Sequence, residues 1–384
     1  MTALPPLGVY VHWPYCARIC PYCDFNVFKT KGREIEAARL ATAIVDDLRA
    51  QAALTGPREL VSIFFGGGTP SLMDPQWVAT VIATARQLWT PAPDLEISLE
   101  ANPTDAEAGR FGALADAGVN RLSLGLQALD NTALKFLGRN HDAVQGRRAA
   151  EVAARVFTRL SLDLIYALPG QTPEDWTAAL KAAVDLGAEH ISPYQLTIET
   201  GTAFDRAIRR GVFAPPGEDL AADLYDTTQA ALEACGFEAY EVSNHARGPA
   251  ARSRHNLVYW QGHDYVGVGP GAHGRLTLKG ARNATLAADR PGDYIAQVAA
   301  TGTGFSTRVV LSAQDVAEER VISGMRILEG VAFAELADLG LSPSHPKVRS
   351  FVELDLLVED AERLRATANG RRVLDRLTTE LAIT

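Results

Sequence analysis

The chain has 384 residues, of which 47% are hydrophobic and 22% are charged, and its formal net charge at pH 7 is −9. This composition is typical of a globular protein with room for one large and one small domain, and it excludes a low-complexity chain. The acidic balance argues against a general affinity for nucleic acid or an anionic membrane. We expect a cytoplasmic protein without a stable membrane span, because the sequence shows neither a secretory leader nor a sufficiently long apolar run.

The first two-thirds of the chain alternates strand-like and helix-like segments. Six such units require parallel strands joined by right-handed crossovers, either in an open doubly wound sheet or in a barrel. In both architectures the ligand lies at the carboxyl ends of the strands. The predicted strands are Gly8–Trp13, Leu60–Phe65, Leu95–Glu100, Arg121–Leu126, Leu160–Ile165 and His190–Leu196. The predicted helices are Arg33–Leu54, Pro75–Leu88, Asp105–Ala117, a helix-rich Asn131–Arg155, and Thr172–Leu186.

The alternation weakens from about Gly201. A helix over Asp219–Cys235 and a short strand over Glu238–Val242 are still predicted. The stretch Ser243–Gly280 is then rich in glycine, histidine and aromatic residues, which distinguishes it from the units before it.

The tail of the chain, from about Leu311, resumes with three helical runs. They precede a predicted hairpin around Asn369 and Gly370, and this order is typical of a small winged-helix-like domain. Residues 311–384 carry 9 basic and 13 acidic side chains, so we expect no role in DNA binding. The expected domains are residues 1–240, 241–305 and 306–384.

Three of the four cysteines lie within eight residues, directly after the first predicted strand, at Cys16, Cys20 and Cys23. In a reducing compartment such a cluster indicates metal binding rather than a disulfide framework. Three thiolates on one short loop can bind three irons of a [4Fe–4S] cluster and leave the fourth iron open.

An open iron suits S-adenosylmethionine (SAM), whose amino and carboxylate groups can bind it. An electron from the reduced cluster then cleaves the sulfonium C–S bond and gives methionine and a 5′-deoxyadenosyl radical, while the protein supplies ligands and orientation. The alternative is a zinc site, although zinc normally takes four ligands and this loop offers three. We interpret the remote Cys235 as a buried thiol at a helix end.

The spacing CxxxCxxC, with Tyr22 before the last cysteine, resembles the signature loop of the radical SAM superfamily. Nearly the whole chain also resembles the branch that contains oxygen-independent coproporphyrinogen III oxidase (HemN) and the heme chaperone HemW. This resemblance implies a partial (β/α)6 TIM-like barrel with a small C-terminal winged-helix-like α+β domain. The segments that carry it are Tyr10–Pro14, Gly66–Pro70, Leu95–Asn102, Arg121–Gln127, Asp163–Pro169 and the C-terminal domain.

The run Gly66–Pro70 follows a predicted strand and lets the backbone approach a ligand closely, because glycine has no Cβ. It is neither a Walker A loop nor a GxGxxG motif. The resemblance implies that this run meets the amino group of SAM, and that polar residues at the strand ends bind the rest of the molecule. The SAM contacts implied in this way are Tyr10, Tyr22, Gly67, Gly68, Thr69, Glu100, Gln127, Arg139 and Asp163.

A second candidate site is the segment His255–Trp260. An exposed imidazole beside aromatic residues suits an axial ligand of heme iron, whereas the alternative is a satisfied histidine packed on the barrel. The HNxxYW pattern resembles the motif that marks HemW and is associated with heme binding. It implies that His255 binds heme iron and that Tyr259 and Trp260 pack on the macrocycle. The weaker histidine candidates are His245, His263 and His273.

Two departures distinguish the chain from HemN-type oxidases. Phe25 stands where those enzymes carry a further cysteine, and only 15 residues precede Cys16, where the oxidases have an N-terminal extension. We therefore expect a heme chaperone with heme-accepting proteins and an electron donor for the cluster as partners. The alternatives are an enzyme that decarboxylates the propionates of coproporphyrinogen III and, from another class, a zinc-binding scaffold.

Overall fold

The computed structural model describes residues 4–382. Six parallel strands, adjacent in chain order, form the centre of one 12-stranded sheet, as the alternation of apolar runs predicts. The sheet does not close, so the fold is a partial barrel. These strands are β1 (Leu7–Trp13), β2 (Glu59–Gly67), β3 (Thr90–Ala101), β4 (Arg121–Gln127), β5 (Arg159–Tyr166) and β6 (His190–Gln195).

Several helices of this part of the chain begin at short polar side chains. Asp142 and Thr172, for example, cap their helices through capping boxes with Gln145 and Asp175, which satisfies the first free N–H groups. The helix predicted over Asp105–Ala117 is divided into two short ones. The helices of this part are α1 (Glu34–Thr55), α2 (Pro75–Leu88), α3 (Asp105–Ala108), α4 (Phe111–Asp116), α5 (Asn131–Phe136), α6 (Ala143–Val156), α7 (Pro173–Val184), α8 (Ala203–Arg209) and α9 (Glu218–Ala234).

The segment after α9 extends the same sheet at both edges. Strand β7 (Glu238–Glu241) and strand β8 (Asn244–Ala246) add antiparallel beside β6. At the other edge, β9 (Asp264–Val268) pairs parallel with β1, and three antiparallel strands follow it. Those three are β10 (His273–Leu278), β11 (Ala281–Ala287) and β12 (Phe305–Val310), with helices α10 (Arg254–Trp260) and α11 (Pro291–Thr301) between neighbouring strands.

The C-terminal part has its own apolar core, which includes Val321, Leu336 and Leu377. It consists of helices with one two-stranded sheet, consistent with a small α+β unit. In the described part of the chain, no helix combines the length and apolar character that a membrane crossing needs. The elements are α12 (Ala313–Gly324), β13 (Val331–Ala332), a 3-10 helix (Phe333–Leu339), α13 (Pro346–Glu353), β14 (Arg363–Leu364), α14 (Ala368–Arg372) and α15 (Leu374–Ala382).

The hairpin predicted around Asn369 and Gly370 is wrong, because these residues lie in helix α14. The Thr367 hydroxyl caps this helix by accepting a hydrogen bond from the N–H of Gly370. A Cβ on Gly370 would lie 1.9 Å from the carbonyl oxygen of Leu356, so glycine is needed here for a close backbone approach rather than for a turn. Strand β14 pairs instead with β13.

Candidate functional site

A cavity of about 900 Å³ opens at the carboxyl ends of the barrel strands, and we call it the first cavity. Its wall takes residues from the ends of β2 to β6, from the cysteine loop after β1, and from α14 and α15. The structure therefore brings together every residue predicted for the cluster and SAM except Tyr10. These residues are Cys16, Cys20, Tyr22, Cys23, Gly67, Gly68, Thr69, Glu100, Gln127, Arg139 and Asp163.

The three cysteines of the loop are free thiols at the first cavity. Cys16 is buried, whereas Cys20 and Cys23 are half-buried. The Thr69 hydroxyl donates to Cys16 Sγ at 3.4 Å, and Arg139 Nη1 donates to Cys20 Sγ at 3.3 Å. Hydrogen bonds of this kind stabilise the thiolate, which is the form that binds iron.

The donor set of the loop fits an iron–sulfur cluster. Burial raises the pKa of the Cys16 and Cys23 thiols, that of Cys23 to about 11, so both are protonated near neutral pH and must release protons when they bind iron. Among the residues that the structure describes, no group of three or more His, Cys, Asp or Glu side chains is arranged to hold a metal ion. Cysteine thiolates are the usual ligands of iron–sulfur clusters.

The glycine run packs the end of β2 against the start of the cysteine loop. A Cβ on Gly68 would lie 2.9 Å from the carbonyl oxygens of Trp13 and Tyr15, and the Gly68 N–H donates to Trp13 O at 2.7 Å. Gly67 has a φ of +105°, and its N–H donates to Glu100 Oε2 at 3.1 Å. The run therefore positions the cysteine loop, a role that the sequence interpretation of these glycines did not include.

Two carboxyl groups face the first cavity, that of Glu100 from strand β3 and that of Asp163 from strand β5. Burial, and then the negative charge of Asp163, raises the pKa of Glu100 to about 8. Burial also raises the pKa of Asp163, although Ser123 Oγ donates to this carboxylate at 2.9 Å. A protonated Glu100 can both donate to and accept from a sugar hydroxyl, whereas an ionised Asp163 favours a ligand with positive charge.

Gln127 ends β4 in a conformation that is rare for a residue with a side chain, with a φ of +64°. Its side-chain oxygen Oε1 is buried and has no hydrogen-bond partner among the described residues. Backbone strain and an unpartnered buried acceptor together are typical of a ligand site rather than of a stable core position.

Arg139 connects the cysteine loop to the strand ends. Besides Cys20, it donates to the Tyr22 hydroxyl at 3.4 Å, to the carbonyl of Gly125 at 3.0 Å and to the side chain of Asn102. The sequence reasoning did not select Asn102 as a site residue. Its position directly after β3, two residues beyond Glu100, is the sequence signal that could have identified it.

Tyr10 and His255 do not line the first cavity. His255 is 1% exposed, so the expectation of an exposed imidazole is wrong. Its ring shares hydrogen bonds with Ser62 Oγ (2.9 Å, at Nδ1) and the Tyr259 hydroxyl (2.6 Å, at Nε2). The ring stacks on Phe64 at 4.9 Å between centroids and on Tyr10 at 6.3 Å. Burial lowers the pKa of His255 to about 3, so this imidazole is neutral and has both nitrogens engaged.

Tyr10, Tyr259 and Trp260 line a second cavity, of about 1110 Å³. It lies between strands β9 to β11 and the C-terminal elements α12 and 3-10 helix 333–339. Of the weaker histidine candidates, His273 is exposed and lines this cavity, whereas His245 is buried against the Gln229 side chain. The predicted site residues are therefore divided between two cavities, and His255 and His245 line neither.

The comparisons with known proteins agree with this architecture. The family model of the Radical SAM superfamily matches residues 10–183, and that of the HemN C-terminal domain matches residues 311–373. The solved structure of coproporphyrinogen III oxidase (HemN) from Escherichia coli superposes with a TM-score of 0.81 at 22% identity, covering 99% of this chain and 91% of that one. These matches define a radical SAM protein with the HemN fold.

Two full-length relatives narrow the assignment. Heme chaperone HemW of Escherichia coli is 35% identical over 381 residues, which cover 98% of each chain. Radical S-adenosyl methionine domain-containing protein 1, mitochondrial, of Bos taurus is 40% identical over 383 residues, which cover 96% of this chain and 86% of that protein. The chain belongs to the HemN/HemW branch of the radical SAM superfamily.

Proposed function

We propose that this protein is a cytoplasmic heme chaperone that carries a [4Fe–4S] cluster and SAM in the first cavity, binds heme, and delivers it to acceptor proteins. The observation that carries the proposal is the full-length similarity to proteins named heme chaperone HemW in three bacteria. The convergence of Cys16, Cys20 and Cys23 with the predicted SAM residues on one cavity supports the cofactor part. Heme-accepting proteins and an electron donor for the cluster are the partners that this function requires.

The residues of the first cavity have distinct tasks in this proposal. Cys16, Cys20 and Cys23 hold the cluster, which when reduced supplies one electron for cleavage of the sulfonium bond of SAM. Glu100 in its protonated form binds a ribose hydroxyl, and Asp163 attracts the cationic end of the ligand. Arg139 keeps Cys20 and Asn102 in place through hydrogen bonds. Its positive charge can bind the carboxylate of SAM.

Anaerobic reconstitution with iron and sulfide tests the cofactor part. We expect a brown protein with broad absorbance and equal amounts of iron and sulfide, as in a cubane cluster. Cys235→Ser is the matched control, since Cys235 lies outside the first cavity. A colourless protein that binds one zinc ion would contradict the proposal and support a zinc scaffold.

Transfer of heme tests the chaperone part. The cluster-loaded protein is mixed with hemin, separated from free hemin, and incubated with an apo-acceptor such as an apocytochrome. We expect a heme absorbance band on the carrier that decreases as the spectrum of the acceptor appears. If the acceptor takes up heme from this protein no faster than from a complex of hemin with albumin, the proposed delivery function is contradicted.

The alternative is an oxygen-independent coproporphyrinogen III oxidase, which is favoured by the presence of every predicted SAM residue except Tyr10 at the first cavity. Phe25, which is 60% exposed, replaces the additional cysteine expected of such an enzyme. Incubation with coproporphyrinogen III, SAM and a reductant distinguishes the two functions. Formation of protoporphyrinogen IX over many turnovers would establish the enzyme.

A further inference from the structure

We propose that heme binds in the second cavity with the imidazole of His273 as the axial ligand to iron, and that His255 is a positioning residue that holds the cavity wall. This inference rests on the proposed function, because it assigns a place to the heme that a chaperone carries. The family resemblance implied His255 as the iron ligand. The inference assigns that role to His273 instead, which was a weaker candidate from the sequence.

The wall of the second cavity offers aromatic side chains, arranged edge-to-face, against which a macrocycle can pack. Tyr259, Trp260 and Tyr265 lie together there, with ring centroids of Tyr259 4.6 Å from Tyr265 and 6.4 Å from Trp260. The indole nitrogen of Trp260 is buried and unpartnered within the described chain, so it is a free hydrogen-bond donor near this wall. These aromatic side chains lie beside charged ones from β10 and α12, and cofactor pockets are common where two structural units meet.

The two histidines differ in whether a ring nitrogen is available. Both nitrogens of His255 have hydrogen-bond partners and the side chain is buried. His273 is exposed, and in residues 4–382 its ring makes no hydrogen bond. Axial ligation needs a neutral imidazole with a free lone pair.

The backbone holds His273 in a fixed position. His273 begins strand β10 and pairs with Leu286 of β11. The turn before it packs tightly, since Gly269 has a φ of +99° and a Cβ there would lie 2.2 Å from the carbonyl oxygen of His12. Because strand and turn restrict the main chain, the imidazole faces the cavity at a defined place rather than from a mobile loop.

Strand β10 also places a cation on the same face as His273. Side chains two residues apart point to the same side of a strand, and His273, Arg275 and Thr277 all line the second cavity. Arg275 is paired with Glu319 at 2.7 Å, and both remain partly exposed, so a carboxylate can approach the guanidinium. The wall also carries Arg282 and Arg320, and the acidic residues Asp289, Glu335 and Asp338. We therefore place a propionate of heme at Arg275.

His255 acts on this cavity through Tyr259. The two residues are four apart in α10, so they lie on one face of the helix, and the 2.6 Å hydrogen bond fixes the phenol against the cavity. Ser62 anchors the other side of the imidazole from β2. Loss of His255 frees Tyr259 without removing an iron ligand.

The test is a titration of the cluster-loaded, full-length protein with hemin, followed by absorbance and by electron paramagnetic resonance of the heme iron. We expect His273→Ala to change the ligation spectrum and to weaken heme binding by about tenfold or more. Exogenous imidazole should restore the wild-type spectrum in this variant. His255→Ala should keep the ligation spectrum and weaken binding by roughly threefold. His345→Ala, outside both cavities, is the control.

Four results are decisive. A wild-type ligation spectrum in His273→Ala would overturn the assignment of the ligand. Loss of that spectrum in His255→Ala, which still contains His273, would also overturn it. An unchanged titration for Ala334→Trp, which places an indole in the second cavity and leaves the first cavity untouched, would overturn the location. Failure of the wild-type protein to bind heme at all would instead contradict the proposed function, so the two failures are distinguishable.

Discussion

The two cavities differ in how their polar groups are satisfied. In the first cavity several groups lack partners within the described residues: Gln127 Oε1 and Arg371 Nη2 make no hydrogen bond, and the pKa of Glu100 is raised to about 8. In the second cavity the arginines already form ion pairs, such as Arg275 with Glu319 and Arg282 with Asp264. The first therefore suits a small charged ligand that completes a polar network, whereas the second suits a ligand that packs on Tyr259, Trp260 and Tyr265 beside charged side chains that are largely paired.

The wall between the cavities is aromatic. Phe64 lines the first cavity and Tyr10 lines the second, and the buried ring of His255 stacks on both. Phe25 lines both cavities. The HNxxYW histidine therefore lies between the two sites, so a substitution there affects heme binding through packing even when another residue binds the iron. A variant in one cavity should leave the other unaffected unless the two cavities are coupled.

The largest expected effect is that of Cys16→Ser on the first cavity. This variant loses one of three thiolates, and we expect no stable cluster and no brown absorbance after reconstitution. Heme binding in the second cavity should stay within about twofold of the wild type. Cys235→Ser should retain both. If Cys16→Ser also abolishes heme binding, the cavities are coupled and the comparison fails.

A smaller effect is expected from Gly68→Ala, because the new Cβ meets the carbonyl oxygens of Trp13 and Tyr15. We expect the free energy of unfolding to fall by about 1–3 kcal/mol and cluster content to fall with it. Gly112→Ala is the matched control: Gly112 lies in α4 and a Cβ there meets nothing within 4 Å. That substitution should stabilise the protein by about 0.5–1 kcal/mol. Equal unfolding curves for the two variants would show that the glycine run does not hold the loop.

Glu100→Gln tests the electrostatics of the first cavity. The pKa of Glu100 rises from 4.5 to about 8 in the folded state, so the folded protein holds more protons between these values. Stability from this group is therefore present below pH 4.5 and is lost as the pH rises towards 8. In urea unfolding without SAM, we expect the wild type to lose about 1–2 kcal/mol more than Glu100→Gln between pH 6 and 8.

The control for this pH dependence is Glu199→Gln, an exposed residue at the edge of the same cavity. It should keep the wild-type dependence. Identical slopes for wild type and Glu100→Gln would mean that water reaches the carboxylate well enough to cancel the effect of burial.

The sequence predicted the barrel strands from local patterns, whereas the SAM residues of the first cavity were implied by the family resemblance. Apolar runs mark strands that are buried on both faces, and Glu100, Gln127 and Asp163 lie on or directly after such runs. The edge strands β10 and β11 were not predicted, because their half-exposed residues show no continuous apolar run. The burial of His255 was not accessible either, since its partner Ser62 is 193 residues away in the chain.

The smallest expected effect is that of Arg275→Ala on the second cavity. A partly exposed ion pair contributes about 0.5–1 kcal/mol, so we expect heme affinity to fall by roughly threefold, with a weaker dependence on salt. Arg308→Ala, an exposed residue of β12, should bind heme as the wild type does. The dimethyl ester of heme, which lacks the propionate charges, should bind the Arg275→Ala variant and the wild type equally well. If Arg275→Ala weakens binding of the ester as much as it weakens binding of heme, Arg275 acts through Glu319 on the shape of the cavity. Heme then binds in another orientation.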